Sequence, residues 1–263
     1  MSVQAADAAF GRRAAAETAA PRSGGILFML LLAAAFTAAA VYLADPRALP
    51  IRYVRVNGDF RHLSPAHLER VAGEVVRGGF FNVNVETVRA TLLAEPWVKD
   101  VTVRRTWPDG LALYVREQVP VARWGDLGLL NRDAGLFTPA EDTWPAGLPV
   151  LTGPEGTEGL VLERWRLVQQ ELGRYGLSAV SLELSDRRAW SLVLDGGTRV
   201  VLGRRDFVGR FERLTALLGA GLAGELHRIE TMDMRYTNGL AVRWKESAAE
   251  DSITERGGHG AEN

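Results

Sequence analysis

The 263-residue chain contains no cysteine, which excludes disulfides, thiolate metal sites and cysteine nucleophiles. It is almost without lysine: only Lys99 and Lys245 occur, so arginine carries the basic charge. Formal net charge is only −1 and the arginines are scattered, which argues against a nucleic-acid groove. Histidine is scarce too. No pair among His62, His67, His227 and His259 has the spacing of a helical zinc motif. Gly-x-Ser-x-Gly, Ser-x-x-Lys and phosphate-loop patterns are missing. Gly219-Ala220-Gly221-Leu222-Ala223-Gly224 fits Gly-x-Gly-x-x-Gly, but it follows the helical run FERLTALL instead of a strand. Glycines there end a helix and do not cradle a pyrophosphate. The acidic pairs Glu141-Asp142 and Glu155/Glu158 sit in turn-like stretches, and nothing in the spacing sets two carboxylates across a cleft. No cofactor, metal or catalytic group is expected.

One long apolar run is present. Ser23 to Ala44 holds no charged residue over 22 positions. At 1.5 Å per residue this makes ~33 Å of helix, enough for the ~30 Å hydrocarbon core of a bilayer. A cleaved signal peptide and a buried soluble helix are the rival readings; the first would have an apolar region of only ~7–15 residues. Arg12, Arg13 and Arg22 precede the run, and Arg47, Arg52, Arg55 and Arg61 follow it, so charge alone leaves the topology open.

Beyond the run, DPRALP (45–50) reads as a linker and IRYVRV as a strand ending at Asn57-Gly58. SPAHLERVAGEVV predicts a helix with Ser64 as N-cap and Pro65 at its first position. VETVRATLLAEP predicts a second helix, stopped before Pro96. WVKDVTVRRTW, the turn PDG and LALYVREQV then read as a hairpin. From Val119 the rhythm changes to short strands with two interspersed helices. The fold class is α+β: an N-terminal transmembrane helix, a β-α-α-β-β module, then a mixed β domain with flanking helices. The expected boundaries are 1–22 tail, 23–44 span, 45–50 linker, 51–118 first module, 119–245 β domain and 246–263 disordered tail.

Glu95 to Trp124 carries a resemblance. Pro96-Trp97, Val101 to Arg104, Trp107-Pro108-Asp109, Glu117 and Pro120 to Trp124 resemble the signature of the FtsQ/DivIB family of bacterial cell-division proteins. Asn57-Gly58, the GPEG loop (153–156), RRAW (187–190), LGR (202–204) and MRYTNGLAVRW (234–244) extend it over most of 51–244. The resemblance implies a non-enzymatic, single-pass inner-membrane protein with a cytoplasmic N-terminus and a periplasmic POTRA module and β domain. It implies binding of FtsB and FtsL in the division complex at the septum. The rival functions are a POTRA-type transport component and a membrane-anchored periplasmic cell-wall enzyme. A transport component would need many further barrel strands of ~9–11 residues.

The stretch DMRYTNGLAVRW reads as a last hairpin. A three-residue loop, Thr237 to Gly239, pairs Tyr236 with Leu240 and Met234 with Val242. It would place Met232, Met234, Tyr236, Leu240, Val242 and Trp244 on one face. The strand Leu240 to Trp244 is then a candidate sheet edge. The resemblance makes that edge a rail on which a segment of FtsB adds as a strand. By the same resemblance Arg188 and Arg235 meet an acidic partner, and Tyr236, Asn238, Gly239 and Trp244 form the hairpin contact. The family often carries Ser at the place of Asn238.

Overall fold

The computed structural model describes residues 23–45, 49–237 and 239–245. The expected cytoplasmic tail (1–22), the C-terminal tail (246–263) and Asn238 lie outside the described residues. α1 (Ser23–Ala44) is one helix, and its stretch Gly25–Leu43 is long and apolar enough to cross a membrane. Ile26, Phe28, Met29, Phe36 and Val41 all project into open space, so no face of the helix is reserved for a protein core.

The next elements are β1 (Tyr53–Asn57), α2 (Pro65–Val75), α3 (Val85–Leu93), β2 (Val98–Thr106) and β3 (Gly110–Glu117). They build a three-stranded sheet in the order β1-β3-β2, with β1 parallel and β2 antiparallel to β3. The two helices cover one face of it. Leu68 and Ala72 from α2, with Val88 and Leu92 from α3, close over Val98, Val101, Leu113 and Val115. Ser64 holds the N-cap position of α2 with no side-chain bond, and Pro65 fits the first turn, where no N–H is needed. Asn84 does cap α3, its side chain accepting from the N–H of Glu86 and Thr87 at 3.1 Å. Gly58 must stay without a side chain, because a Cβ there would lie 2.4 Å from the Val115 carbonyl oxygen.

The remaining elements are β4 (Pro120–Trp124), β5 (Gly128–Asn131), β6 (Leu136–Phe137), β7 (Val150–Thr152), α4 (Glu158–Gly173), β8 (Ala179–Leu184), β9 (Trp190–Leu194), β10 (Arg199–Gly203), α5 (Phe207–Gly219), β11 (Ile229–Asp233) and β12 (Ala241–Trp244). Their strands form one mixed nine-stranded sheet, β12-β11-β10-β9-β8-β7-β4-β5-β6. α4 packs on β7 and β8, α5 on β10, and the two helices touch. The core between them holds Val161, Trp165 and Val168 of α4, Phe211 and Leu214 of α5, and Leu182, Leu192 and Val200 of the sheet. Gly219 ends α5 and Gly221 takes a left-handed φ of 114°, so the glycine run terminates a helix as the sequence indicates. The architecture is α+β throughout.

A small third cluster joins the two parts. Trp97 and Leu63 of the first module meet Leu129, Phe137, Trp144 and Leu148 of the second. The Trp97 indole N–H donates to Thr143 Oγ1 at 3.1 Å, and the His62 ring stacks on Trp97 at 3.8 Å. His62 Nδ1 in turn lies 2.7 Å from Glu117 Oε1.

The last hairpin corrects the sequence reading. The observed pairs are Met232 with Val242 and Asp233 with Ala241, two residues out of the expected register. A shift of two keeps every side chain on its face, so Met232 and Met234 remain fully buried. It also widens the loop, and Tyr236 leaves the core face to stand 59% exposed. A further irregularity between Ile229 and Thr231 brings Trp244 opposite Ile229, where it is 44% exposed. The compact three-residue loop fails because the connection is anchored from outside the hairpin.

Candidate partner-binding edge

That anchor is α5. Arg213 donates from Nη1 to the Tyr236 carbonyl at 3.0 Å and to that of Thr237, and from Nη2 to the Met234 carbonyl at 3.3 Å. Arg210 donates from Nη1 to the Leu202 carbonyl and from Nη2 to that of Arg235 at 3.3 Å. Successive carbonyls of the connection are thus bonded to a helix and not to the opposing strand. Asp206 sets the position of α5 by capping it, its carboxylate accepting from Gly209 N at 3.1 Å. Gly203, at a φ of 77°, gives these arginines room: a Cβ there would lie 2.7 Å from Arg210 Nη1 and 2.9 Å from Arg235 Cγ.

β12 lies at the end of the sheet and pairs only with β11, so among the described residues its outer N–H and C=O groups have no strand partner. The register chain fixes what surrounds it. Trp190 pairs with Gly203, Val201 with Asp233, and Asp233 with Ala241. These residues mark one end of the sheet, and the turn bearing Arg188 and the loop bearing Arg235, Tyr236 and Gly239 emerge there together. Trp244 stands at the other end of β12, beneath the Arg228 guanidinium at 5.7 Å. Four of the six residues named from sequence therefore share a rim. Trp244 marks the far end of the strand, and Asn238 lies outside the described residues.

The two arginines differ in state. Arg188 is exposed with a left-handed φ of 60°, held in the β8–β9 turn by its N–H donating to the Ser185 carbonyl at 2.7 Å. Arg235 is already paired. Its Nε lies 2.9 Å from both carboxylate oxygens of Asp233, and Nη2 lies 2.6 Å from Oδ2. The guanidinium holds the Asp233 carboxyl below the usual aspartate range, and Asp233 raises Arg235 above its ordinary value. Asp233 also accepts the Arg235 N–H at 3.0 Å, so this one carboxylate shapes the start of the loop. Gly239 is exposed, and a side chain there would meet nothing within 4 Å.

Asp233, Arg210 and Arg213 are the site residues that sequence reading missed, and Gly203, inside the LGR match, was given no role there. The available signal was in α5: Arg210 and Arg213 flank the buried Phe211 and Leu214, so they border the packed face of the helix. Elsewhere, no group of three or more His, Asp or Glu able to hold a metal occurs among the described residues.

The comparisons agree with this architecture. Residues 49–118 match the family model for the POTRA domain, FtsQ-type. Residues 122–235 match the model for the C-terminal part of cell division protein FtsQ/DivIB, which stops just before Tyr236. Cell division protein FtsQ of Coxiella burnetii is 36% identical over 79% of this chain and 86% of its own length. The Thioalkalivibrio FtsQ is 37% identical over 79% and 86%, and that of Hahella chejuensis 33% identical over 74% and 70%. With both of its sheet-bearing parts matched and its relatives spanned over most of their length, the chain belongs to the FtsQ family of single-pass membrane cell-division proteins.

Proposed function

We propose that this protein is a non-catalytic scaffold of the division complex that captures FtsB, together with FtsL, by adding a strand of FtsB to β12. In this reading residues 1–22 are cytoplasmic, 51–118 and 119–245 are periplasmic domains, and the protein sits in the inner membrane at the septum. There it links early to late division proteins and helps control septal wall synthesis. The observation carrying the proposal is that, among the described residues, no strand pairs with the outer side of β12 at the end of a nine-stranded sheet. A four-residue strand offers about four outward backbone bonds, worth roughly 1 kcal/mol net each. Selection then falls to side chains: Arg188 and Arg235 to an acidic partner segment, with Tyr236, Asn238 and Gly239 at one end and Trp244 at the other.

The absence of native cysteine makes a direct test practical. Ala241→Cys is paired with single cysteines walked along FtsB, and crosslinks are scored in membranes. Strand addition gives crosslinks at alternate FtsB positions, the period of an extended chain. A period of three to four residues, or no crosslink in an intact complex, sinks the proposal. Hydrolysis of purified cell wall by the chain would sink the scaffold role itself.

A further inference from the structure

The sheet of the POTRA module has two ends, and one of them faces the chain's own route from the membrane. Phe80 N donates to the Leu49 carbonyl at 2.8 Å, Pro50 bridges to Gly79, and Arg52 N donates to the Asp109 carbonyl at 2.8 Å. Tyr53 pairs with Gly110, and Gly110 with Thr106, so the β2–β3 hairpin tip lies at that same end. Arg105 ties in the loop after α2 by donating from Nη2 to the Val83 carbonyl at 2.9 Å.

This end is unusually aromatic for a surface. Trp107 at the hairpin tip is 76% exposed, Phe81 is 53% exposed while Phe80 turns inward, and Tyr53 is partly exposed. Arg52 and Arg105 lie at this same end, the Arg52 Nε 3.6 Å from Asp109 Oδ2. Exposed Trp and Tyr beside Arg is the composition found where a protein meets lipid headgroups.

The tether decides between lipid and some other partner. From the end of α1 at Ala44 to the anchored Leu49 there are only five residues, 45 to 49. Fully extended they span ~17 Å. The headgroup zone outside the hydrocarbon is itself ~5–7 Å deep on each side. The aromatic end therefore stays within a short chain length of the bilayer surface. We propose that the membrane-facing end of the POTRA module, led by Trp107 and Phe81, inserts into the lipid headgroup layer and fixes how the periplasmic body stands on the membrane.

The tryptophans provide the readout. α1 contains none, and Trp97, Trp124, Trp165 and Trp190 are buried. Full-length protein is reconstituted into phosphatidylcholine–phosphatidylglycerol vesicles, with and without phosphatidylcholine brominated in its acyl chains. The expected result is bromolipid quenching of wild-type emission that Trp107→Phe removes, Trp244→Phe leaves in place, and adding Phe81→Trp to Trp107→Phe restores. Equal quenching in wild type and Trp107→Phe, or no quenching in either, overturns the proposal. So does quenching lost only with Trp244→Phe, which would turn the end of β12, and not this end of the POTRA module, to the lipid. The outcomes with Trp107→Phe and Phe81→Trp do not bear on FtsB capture by β12.

Discussion

Arg235→Glu separates binding from folding most cleanly. Within the chain Arg235 is tied to Asp233, but its side chain is 61% exposed. An exposed ion pair contributes roughly 0–1 kcal/mol. For a folded body of about 200 residues, a loss near the top of that range lowers Tm by about 2–4 °C. Across a closed interface the same guanidinium would face a desolvated acid, and removing one partner of such a pair costs about 2–5 kcal/mol. That is roughly thirtyfold and upward in affinity. The expected result is a nearly normal melt with FtsB capture lost, read by titrating FtsB against full-length protein in detergent and by parallel thermal unfolding. Asp233→Asn is the control: it releases the guanidinium while keeping an oxygen for the Arg235 N–H, so capture should hold or strengthen. Unchanged FtsB titration by Arg235→Glu refutes the role of this charge. An equal loss in Asp233→Asn would assign the effect to loop shape instead.

Two further outcomes follow from the same geometry. Burial alone would push the Glu117 carboxyl up, but bonds from the Arg61, His62 and Leu63 N–H groups and the His62 ring bring it below the usual glutamate range. A depressed carboxyl stabilises the fold above its unfolded value of about 4.3 and ceases to do so as pH falls through the folded value. Wild type should therefore lose more Tm below about pH 4.3 than Glu117→Gln does, and identical pH profiles would contradict this assignment. Arg213→Ala removes bonds to three loop carbonyls. With charged hydrogen bonds worth about 1.5–3 kcal/mol, amide exchange in β12 should speed by tenfold or more while α4 and β8 keep their protection.

How much of this was legible depended on the range of the forces involved. Helices and hairpins of the first module followed from local signals, such as Pro65 at a helix start and Asp109-Gly110 at a turn. Asn84, directly before VETVRATLLAEP, is a residue type that caps helices, and it caps α3. The position of β12 at a sheet edge was legible, because KESAAEDSITERGGHGAEN does not alternate as a further strand would. The register was not. Alternation fixes which face a residue takes, and a shift of two residues leaves the faces unchanged. What selects between the two registers is Arg210 and Arg213, which lie more than twenty residues before the loop carbonyls they hold. Long-range bonds from side chain to backbone leave no periodic trace, and an arginine at the flank of a helix reads as solvated. The separation of Trp244 from Tyr236 by the length of the last strand holds in either register.

The anchored loop also bears on how an open edge can be both safe and ready. An unpaired strand invites unselective pairing, and short length and charge are the usual protections. β12 has both, with four residues and Arg243 held toward Glu230 at 3.0 Å on the neighbouring strand. Four residues alone would make a poor template, because an end strand frays and ordering it costs free energy at the moment of binding. Arg213 and Arg210 remove much of that cost beforehand by fixing the carbonyls that lead into β12, and Asp233 fixes the turn of the chain after β11. Their bonds run to the loop and not to the outer side of the strand, so they hold the template in shape without occupying it. Short length then limits accidental partners, and under the proposed strand addition the prepared backbone would spare an acidic segment the cost of ordering its docking site.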